Sequence, residues 1–201
     1  MGLIDETLRG ELVRAYHAPE RHYHDLRHIE ALLGLARQYR AALNDHEAVE
    51  AAIWFHDAIY DPRHSDNEEK SAQLALARLA GLATDDRLDR IATMIRATVG
   101  HVLPEFADAP ARSDCALFLD MDLAILGSAP AEFAAYERDV RREYAFLPDA
   151  AWISGRRHVL AGFLARPAIY LTATFRDRCE IQARQNLARA VAELERAEAR
   201  A

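Results

Sequence analysis

The adjacent residues His56 and Asp57 lie inside an apolar run, residues 51–60, where a polar pair is unexpected. An ionised carboxylate is costly to bury without a partner, so a buried aspartate needs a counter-charge, hydrogen bonds or a metal ion. The neighbouring imidazole narrows this choice, because histidine and aspartate together suit a divalent cation of intermediate softness. Two further residues of suitable type, His28 and Asp122, lie where separate helices could bring them in. A metal site is therefore the leading hypothesis.

Helical geometry limits how these side chains can meet. Adjacent residues of a helix point about 100° apart, so the central pair can converge only on an ion held in a groove beside its helix. His24 and His28 lie one turn apart, whereas Asp120 and Asp122 point in nearly opposite directions, and periodicity does not choose between these aspartates. Two imidazoles and two carboxylates would leave open positions for water and substrate. Without a metal, the central pair would be a buried hydrogen bond that fixes helix packing.

Composition bounds the class of protein. The 201 residues are enough for one well-filled domain, 51% of them are hydrophobic, and the net charge of −7 is spread along the chain. The sequence contains no basic stripe, so a nucleic acid duplex is not expected as a partner. The two cysteines, Cys115 and Cys179, lack the spacing of a cysteine-only zinc site. The acidic N-terminus and the lack of a membrane-length apolar run predict a cytoplasmic protein without membrane contact.

Apolar spacing of about 3.6 residues recurs along the chain, and almost no segment alternates like a strand. The sequence therefore predicts an all-α fold in one domain, residues 1–201, with the metal site between helices. One predicted helix is capped by Asn44 or Asp45 and contains His56-Asp57 near its end, and a capping box of Asp66 and Glu69 opens the next. A loop is predicted over 100–112. The remaining helices are predicted at about 3–17, 25–43, 66–81, 85–100, 113–126, 130–148, 150–165 and 174–199.

The order of histidine, histidine-aspartate pair and aspartate on separate helices resembles the HD superfamily of metal-dependent phosphohydrolases. Further stretches are similar to a bacterial branch of that superfamily, and together they cover a core of about residues 16–187. The stretches that carry the resemblance are 21–28, 54–61, 67–72, 119–127, 141–144 and 180–186.

The resemblance implies metal ligands at His28, His56, Asp57 and Asp122, with Asp122 preferred over Asp120 because an Asp-Leu step suits the ligand position. We expect one divalent ion: zinc, manganese or iron, with magnesium, cobalt or nickel as alternatives. A two-iron oxygenase is disfavoured, because the interval that should supply extra histidines holds only two, in residues 58–121.

One departure from relatives that hydrolyse nucleotides concerns the acidic residue three positions after the motif aspartate. Tyr60 stands there, so the neighbouring Asp61 is predicted to act as general acid or base, with Asp57 as the second catalytic carboxylate. Three arginines are candidate substrate contacts, because a guanidinium group binds phosphate oxygens, and two histidines are further candidates. These residues are Arg21, Arg27, Arg156, His24 and His101.

The function implied by the resemblance is hydrolysis of a nucleotide or another small phosphate ester. The alternative is a non-catalytic sensor that uses the metal pocket to bind a nucleotide or metabolite, because the acidic residue after the motif is missing. The oligomeric state stays open, since an exposed helical surface could support a homodimer.

Overall fold

The computed structural model describes residues 2–200, and the predicted all-α class is confirmed. Within these residues there are nine α-helices and no strand. Two short 3₁₀ turns, Arg40–Ala42 and Leu123–Gly127, interrupt the α-helical elements. The helices, numbered in chain order, are α1 Glu6–Tyr16, α2 Leu26–Gln38, α3 His46–Phe55, α4 Asn67–Leu79, α5 Asp85–Ala97, α6 Ala109–Asp122, α7 Pro130–Glu143, α8 Asp149–Leu164 and α9 Ala173–Glu198.

The chain divides into two compact units, with the boundary between Met121 and Asp122, at the last residue of α6. The predicted single domain therefore stays a prediction. Over the described residues, no helix combines the length and the apolar character needed to cross a membrane.

The first unit is organised around α3, which packs against α2, α4 and α5. From Val49 to Phe55 all but one of its side chains are buried, because the helix is apolar around its whole circumference. Such a helix belongs in the centre of a unit, and its ends therefore lie among its neighbours. In the second unit α8 packs along α9, and the 3₁₀ turn Leu123–Gly127 packs against both α7 and α9.

The start of α3 follows one of the two predicted caps. The Asp45 side chain accepts a hydrogen bond from the backbone N–H of Ala48, so Asp45 is the N-cap. Asn44 has a different role: its backbone N–H and side-chain amide both donate to Oδ1 of Asp114, whose Oδ2 accepts from the Asp45 N–H. This buried carboxylate ties α6 to the start of α3. Helix α6 is thereby held against the start of α3, the helix that leads into the central pair.

The capping box predicted at the start of α4 is wrong. Asp66 does occupy the N-cap position, but its side chain makes no capping hydrogen bond and instead pairs with Lys70 at 2.9 Å. The Glu69 carboxylate accepts from the Arg96 guanidinium on α5, at 2.6 and 3.0 Å. Neither residue forms the predicted box, because Asp66 makes an i,i+4 ion pair with Lys70 and Glu69 makes a long-range ion pair with Arg96.

Helix α5 begins at Asp85, as predicted, and is capped by Thr84, whose hydroxyl accepts from the Arg87 N–H. The start predicted for the following helix is wrong. Helix α6 begins at Ala109, inside the predicted loop, because Asp108 accepts from the Ala111 N–H and a proline is tolerated in a first turn. Its α-helical part ends at Asp122, since the chain continues as a 3₁₀ turn.

Gly127 ends that 3₁₀ turn where α9 passes close to it. A Cβ atom at this position would lie 2.6 Å from Cβ and 2.9 Å from the backbone oxygen of Cys179, and 2.9 Å from the Tyr170 hydroxyl. We expect Gly127→Ala to lower the free energy of unfolding by about 1–3 kcal/mol, because helix backbone cannot move aside as a flexible side chain can. Thermal and urea denaturation measure this effect.

Gly155, inside α8, is the matched control, because a Cβ atom there meets nothing within 4 Å. We expect Gly155→Ala to raise stability by about 0.5–1 kcal/mol, since alanine loses less backbone entropy than glycine in a helix. Equal effects of the two substitutions would contradict the close approach at Gly127.

Candidate metal centre

His28 lies in the first turn of α2. Asp25 caps this helix by accepting from the Arg27 N–H, and the helix then buries His28 together with Ile29 and Leu32. The His28 side chain is only 4% exposed. An imidazole so placed needs a polar partner, and its Nε2 atom lies 3.1 Å from Nε2 of His56.

His56 and Asp57 lie just beyond the end of α3, which corrects the prediction that the helix contains them. The helix ends at Phe55, His56 is its C-cap, and Asp57 is in the following turn. Nδ1 of His56 lies 2.9 Å from the backbone oxygen of Ile53. A carbonyl can only accept, so Nδ1 carries a proton, and in the neutral ring Nε2 presents its lone pair. This tautomer is the one in which Nε2 can bind a metal.

The Asp57 carboxylate lies against both imidazoles. Its Oδ2 atom is 3.1 Å from Nε2 of His56 and 3.7 Å from Nε2 of His28. Burial raises the pKa of Asp57, but the charge and hydrogen bond of His56, with the charges of His24 and His28, outweigh burial and hold that pKa well below its usual range. The group is therefore an anionic oxygen beside two imidazole nitrogens.

Asp122 completes the cluster from the end of α6. His28, His56 and Asp122 each offer one ligand atom, and these three atoms lie within 4.8 Å of one another. In the described part of the chain, these residues form the group that could hold a metal ion. Asp120, two residues earlier, is fully buried and does not belong to this group. Both histidines therefore lie beside the Asp57 carboxylate and also belong to the group of three with Asp122.

The spacing of the nitrogens fits one shared ion. If both nitrogens bind one ion at 2.0–2.1 Å, they lie about 3.0 Å apart when the angle at the ion is 90° and about 3.4 Å apart when the ion is tetrahedral. The two Nε2 atoms here are 3.1 Å apart.

No family model, curated protein or solved structure matches the chain. The chemistry of the centre is therefore inferred from its donors: two nitrogens and two carboxylates suit a divalent cation of intermediate softness.

Arg21 holds the backbone around the centre. Its guanidinium donates through Nη1 to the backbone oxygens of His24 and Asp57, at 2.9 and 2.7 Å, and through Nη2 to that of Ala58, at 3.0 Å. It also lies over the ring of Tyr60. Nothing in the sequence indicates this bracing role, because backbone acceptors leave no side-chain pattern. The predicted phosphate contact of Arg21 stays a prediction.

His24 is the other predicted substrate residue that lies at the centre. Its ring stacks on Tyr60, with centroids 4.4 Å apart, and meets the ring of His28 edge-on at 6.0 Å. The charge of His24 also acts on Asp57, as described above. His24 is therefore a neighbour of the metal-binding cluster, although it is not one of its ligands.

The predicted acid or base, Asp61, lies in the loop after the centre. Its carboxylate is 44% exposed, lies 3.6 Å from Nε2 of His64 and 3.8 Å from Arg63, and accepts from the Arg63 N–H. Asn67 braces the loop by accepting from the Asp61 N–H and donating to its backbone oxygen. The predicted catalytic role of Asp61 stays a prediction.

Two further predicted substrate contacts have local roles. Arg27 is 72% exposed and donates to Asp25 and to the backbone oxygen of His22. His101 follows α5 with a left-handed backbone, φ 48°, and its N–H donates to the oxygen of Ala97, which ends the helix. Neither belongs to the group of potential metal ligands.

Arg156, the last predicted contact, lies on α8 in the second unit. Its guanidinium donates to Glu137 through Nε and Nη2 and to the Tyr136 hydroxyl through Nη2, at 2.8 Å for the hydroxyl. It stacks over the rings of Tyr136 and Trp152. Tyr136 and Glu137 were not predicted from the sequence, because nothing in the spacing of α7 distinguishes them from an ordinary helix face.

Proposed function

We propose that this chain is a metal-dependent phosphohydrolase of the HD type that acts on a nucleotide or another small phosphate ester. The observation that carries the proposal is the approach of two buried Nε2 atoms to 3.1 Å, with Oδ2 of Asp57 within 3.7 Å of both. Without an ion this contact is a hydrogen bond between the two imidazoles, and a shared cation would take the place of its proton. The resemblance to the HD superfamily supplies the reaction class.

In this proposal the residues of the centre have two different roles, metal binding and proton transfer. His28, His56, Asp57 and Asp122 would hold the ion. When bound, a divalent ion lowers the pKa of water and polarises a phosphoryl oxygen. Asp61, as an exposed carboxylate in the following loop, would take up or return a proton.

The side chains around the centre would serve it indirectly. Arg21 holds the carbonyls of the segments that carry the histidines, so that the ligands keep their positions. The ring of His24, stacked on that of Tyr60, would give the substrate an aromatic edge to contact.

The proposal is tested by removing metal with a chelator, reloading the protein with Mn²⁺, Zn²⁺, Fe²⁺, Co²⁺, Ni²⁺ or Mg²⁺, and measuring phosphate release from p-nitrophenyl phosphate and a panel of nucleotides. We expect turnover with at least one metal. Asp57→Asn should lose both bound metal and turnover, whereas Asp61→Asn should keep the metal and lose turnover. Asp66→Asn is the control, because that exposed carboxylate pairs only with Lys70 among the described residues.

Three results would overturn the proposal. The first is an absence of stoichiometric metal in every reconstitution, and the second is an absence of phosphate release with every metal and substrate of the panel. The third is turnover by Asp57→Asn that equals the parent protein at equal metal content.

A non-catalytic sensor is the second candidate, and a specific observation favours it. The carboxylate of Asp61 has Arg63 and His64 as its neighbours, and three guanidinium hydrogen bonds of Arg21 go to backbone oxygens. A sensor needs metal and ligand binding but no acid or base. It predicts that nucleotides raise the melting temperature of the metal-loaded protein while no phosphate is released.

A further inference from the structure

The loop between α3 and α4, residues 56–66, begins with the central pair and carries Asp61. Helix α4 binds the backbone of this loop at two alternate residues, Ile59 and Asp61. At the first of them, the Ser71 hydroxyl accepts from the Ile59 N–H at 3.1 Å and donates to the Ile59 oxygen at 3.3 Å. Loop backbone is normally solvated and more mobile than the helices it connects. Here side chains of a helix take the place of water.

Asn67, the first residue of α4, binds the loop at Asp61 with its whole side-chain amide. Its Oδ1 atom accepts from the Asp61 N–H at 3.1 Å, and its Nδ2 atom donates to the backbone oxygens of Asp61 and His64 at 2.8 and 3.2 Å. Both donor hydrogens and the acceptor oxygen of the amide are therefore engaged. The partners also fix the orientation of the amide, because a backbone N–H only donates and a carbonyl oxygen only accepts.

Burial makes this attachment firm. Asn67 and Ser71 are 8% and 0% exposed, and they lie one turn apart on the buried face of α4. Separation of the loop from α4 is unfavourable, because buried donors and acceptors would lose their partners. Arg21 binds the oxygens of Asp57 and Ala58, as described above. The loop is thus held both at the metal-binding end and at Asp61, and all of these residues belong to the first unit.

We propose that Asn67, supported by Ser71, positions the Asp61 carboxylate for proton transfer. This inference rests on the proposed function, because Asp61 is taken there as the acid or base. Asn67 is a positioning residue, since it acts through the backbone of Asp61. The Asp61 carboxylate is 44% exposed, and on an unbraced loop it would sample many positions. A proton is transferred only within hydrogen-bond reach, so a displacement of about 1 Å removes much of the rate.

The test measures kcat, KM and bound metal for Asn67→Ala, with the metal and the phosphate ester that give the highest turnover in the parent protein. We expect kcat to fall about 10–100-fold, because Asp61 loses its fixed position. KM and metal content should stay as in the parent, since the hydrogen bonds of Asn67 go to Asp61 and His64. A purely structural role would lower the melting temperature without changing kcat of the folded protein.

Amide hydrogen exchange tests the attachment without turnover. In Asn67→Ala the Asp61 N–H should exchange about fivefold faster or more than in the parent, because its acceptor is gone. Asn67→Asp is a second variant that keeps the volume of the side chain and the acceptor for this N–H. An ionised carboxylate cannot donate to the oxygens of Asp61 and His64, so this variant should also lose kcat and keep its metal.

Gln73→Ala is the matched control. Gln73 is an exposed amide on the same helix, and its Nε2 atom donates to Glu69. Its kcat and the exchange of the Asp61 N–H should equal those of the parent. The inference alone is overturned if the Asn67 variants keep the kcat of an active parent, if they lose kcat and metal together, or if the exchange rate is unchanged. A metal-loaded parent that releases no phosphate overturns the proposed function, and this inference with it.

Discussion

Replacing His56 with glutamine is expected to weaken divalent-cation binding by more than about 100-fold. His56 is fixed by the bond from Nδ1 to the Ile53 oxygen, so its Nε2 lone pair is aimed at the cluster before any ion arrives. Glutamine has neither this anchor nor an imidazole nitrogen, and an amide oxygen is a weaker ligand for zinc, manganese or iron. Titration calorimetry with Mn²⁺ or Zn²⁺, supported by elemental analysis, measures the loss.

The control for this variant is His64→Gln. His64 is a surface histidine, 59% exposed, whose imidazole lies beside the Asp61 carboxylate. Its loss should leave metal affinity unchanged. His28→Gln should have an effect similar to that of His56→Gln, because the two Nε2 atoms face each other. If either histidine variant retained the parent's metal content and affinity, the two imidazoles would be a structural pair and the metal centre would be disproved.

Replacing Arg21 with alanine is expected to lower the free energy of unfolding by about 3 kcal/mol, which corresponds to a fall in melting temperature of about 6–12 °C. The substitution removes three hydrogen bonds from a buried guanidinium to the oxygens of His24, Asp57 and Ala58. Those oxygens brace the two segments that carry the histidines. Metal affinity should therefore fall as well, by about 10–100-fold, as is typical for residues that orient metal ligands.

Arg27→Ala is the comparison for Arg21. Arg27 is exposed and binds Asp25 and a backbone oxygen in its own segment, so its loss should cost no more than about 1 kcal/mol. Circular dichroism during thermal unfolding and metal titration measure both variants. If Arg21→Ala kept the parent's stability and metal affinity but raised KM for a phosphate ester, Arg21 would be the substrate contact that the sequence suggested.

Most of the helices could be predicted because each has a strong local signal. Apolar residues recur with helical spacing, and Asp45, Gly81 and Pro130 stand at the ends where cap, left-handed turn and first-turn chemistry place them. The errors arise where several neighbouring residues could cap the same helix, or where a capping residue has another possible partner. Thr84 precedes two aspartates that are equally good caps, and Asp66 has a competing partner in Lys70. Sequence alone does not rank such competitors.

The centre was less accessible to sequence reasoning than the helices. His56 and Asp57 attract attention because polar residues are rare in an apolar run, but periodicity left Asp120 and Asp122 equivalent, and only the resemblance chose between them. In the structure Asp122, the last residue of α6, belongs to the group of potential metal ligands and Asp120 does not. Arg21 could not be recognised, because its partners are backbone oxygens distant in sequence.

The position of the cluster beyond the last turn of α3 has an electrostatic consequence. The carbonyl end of a helix carries a partial negative charge, and α3 presents that end to His56 and Asp57. Asp122 adds a full charge at the end of α6. Before an ion binds, these charges therefore attract cations and repel anions. We expect an obligatory order of association, in which the ion enters first and a phosphorylated ligand follows.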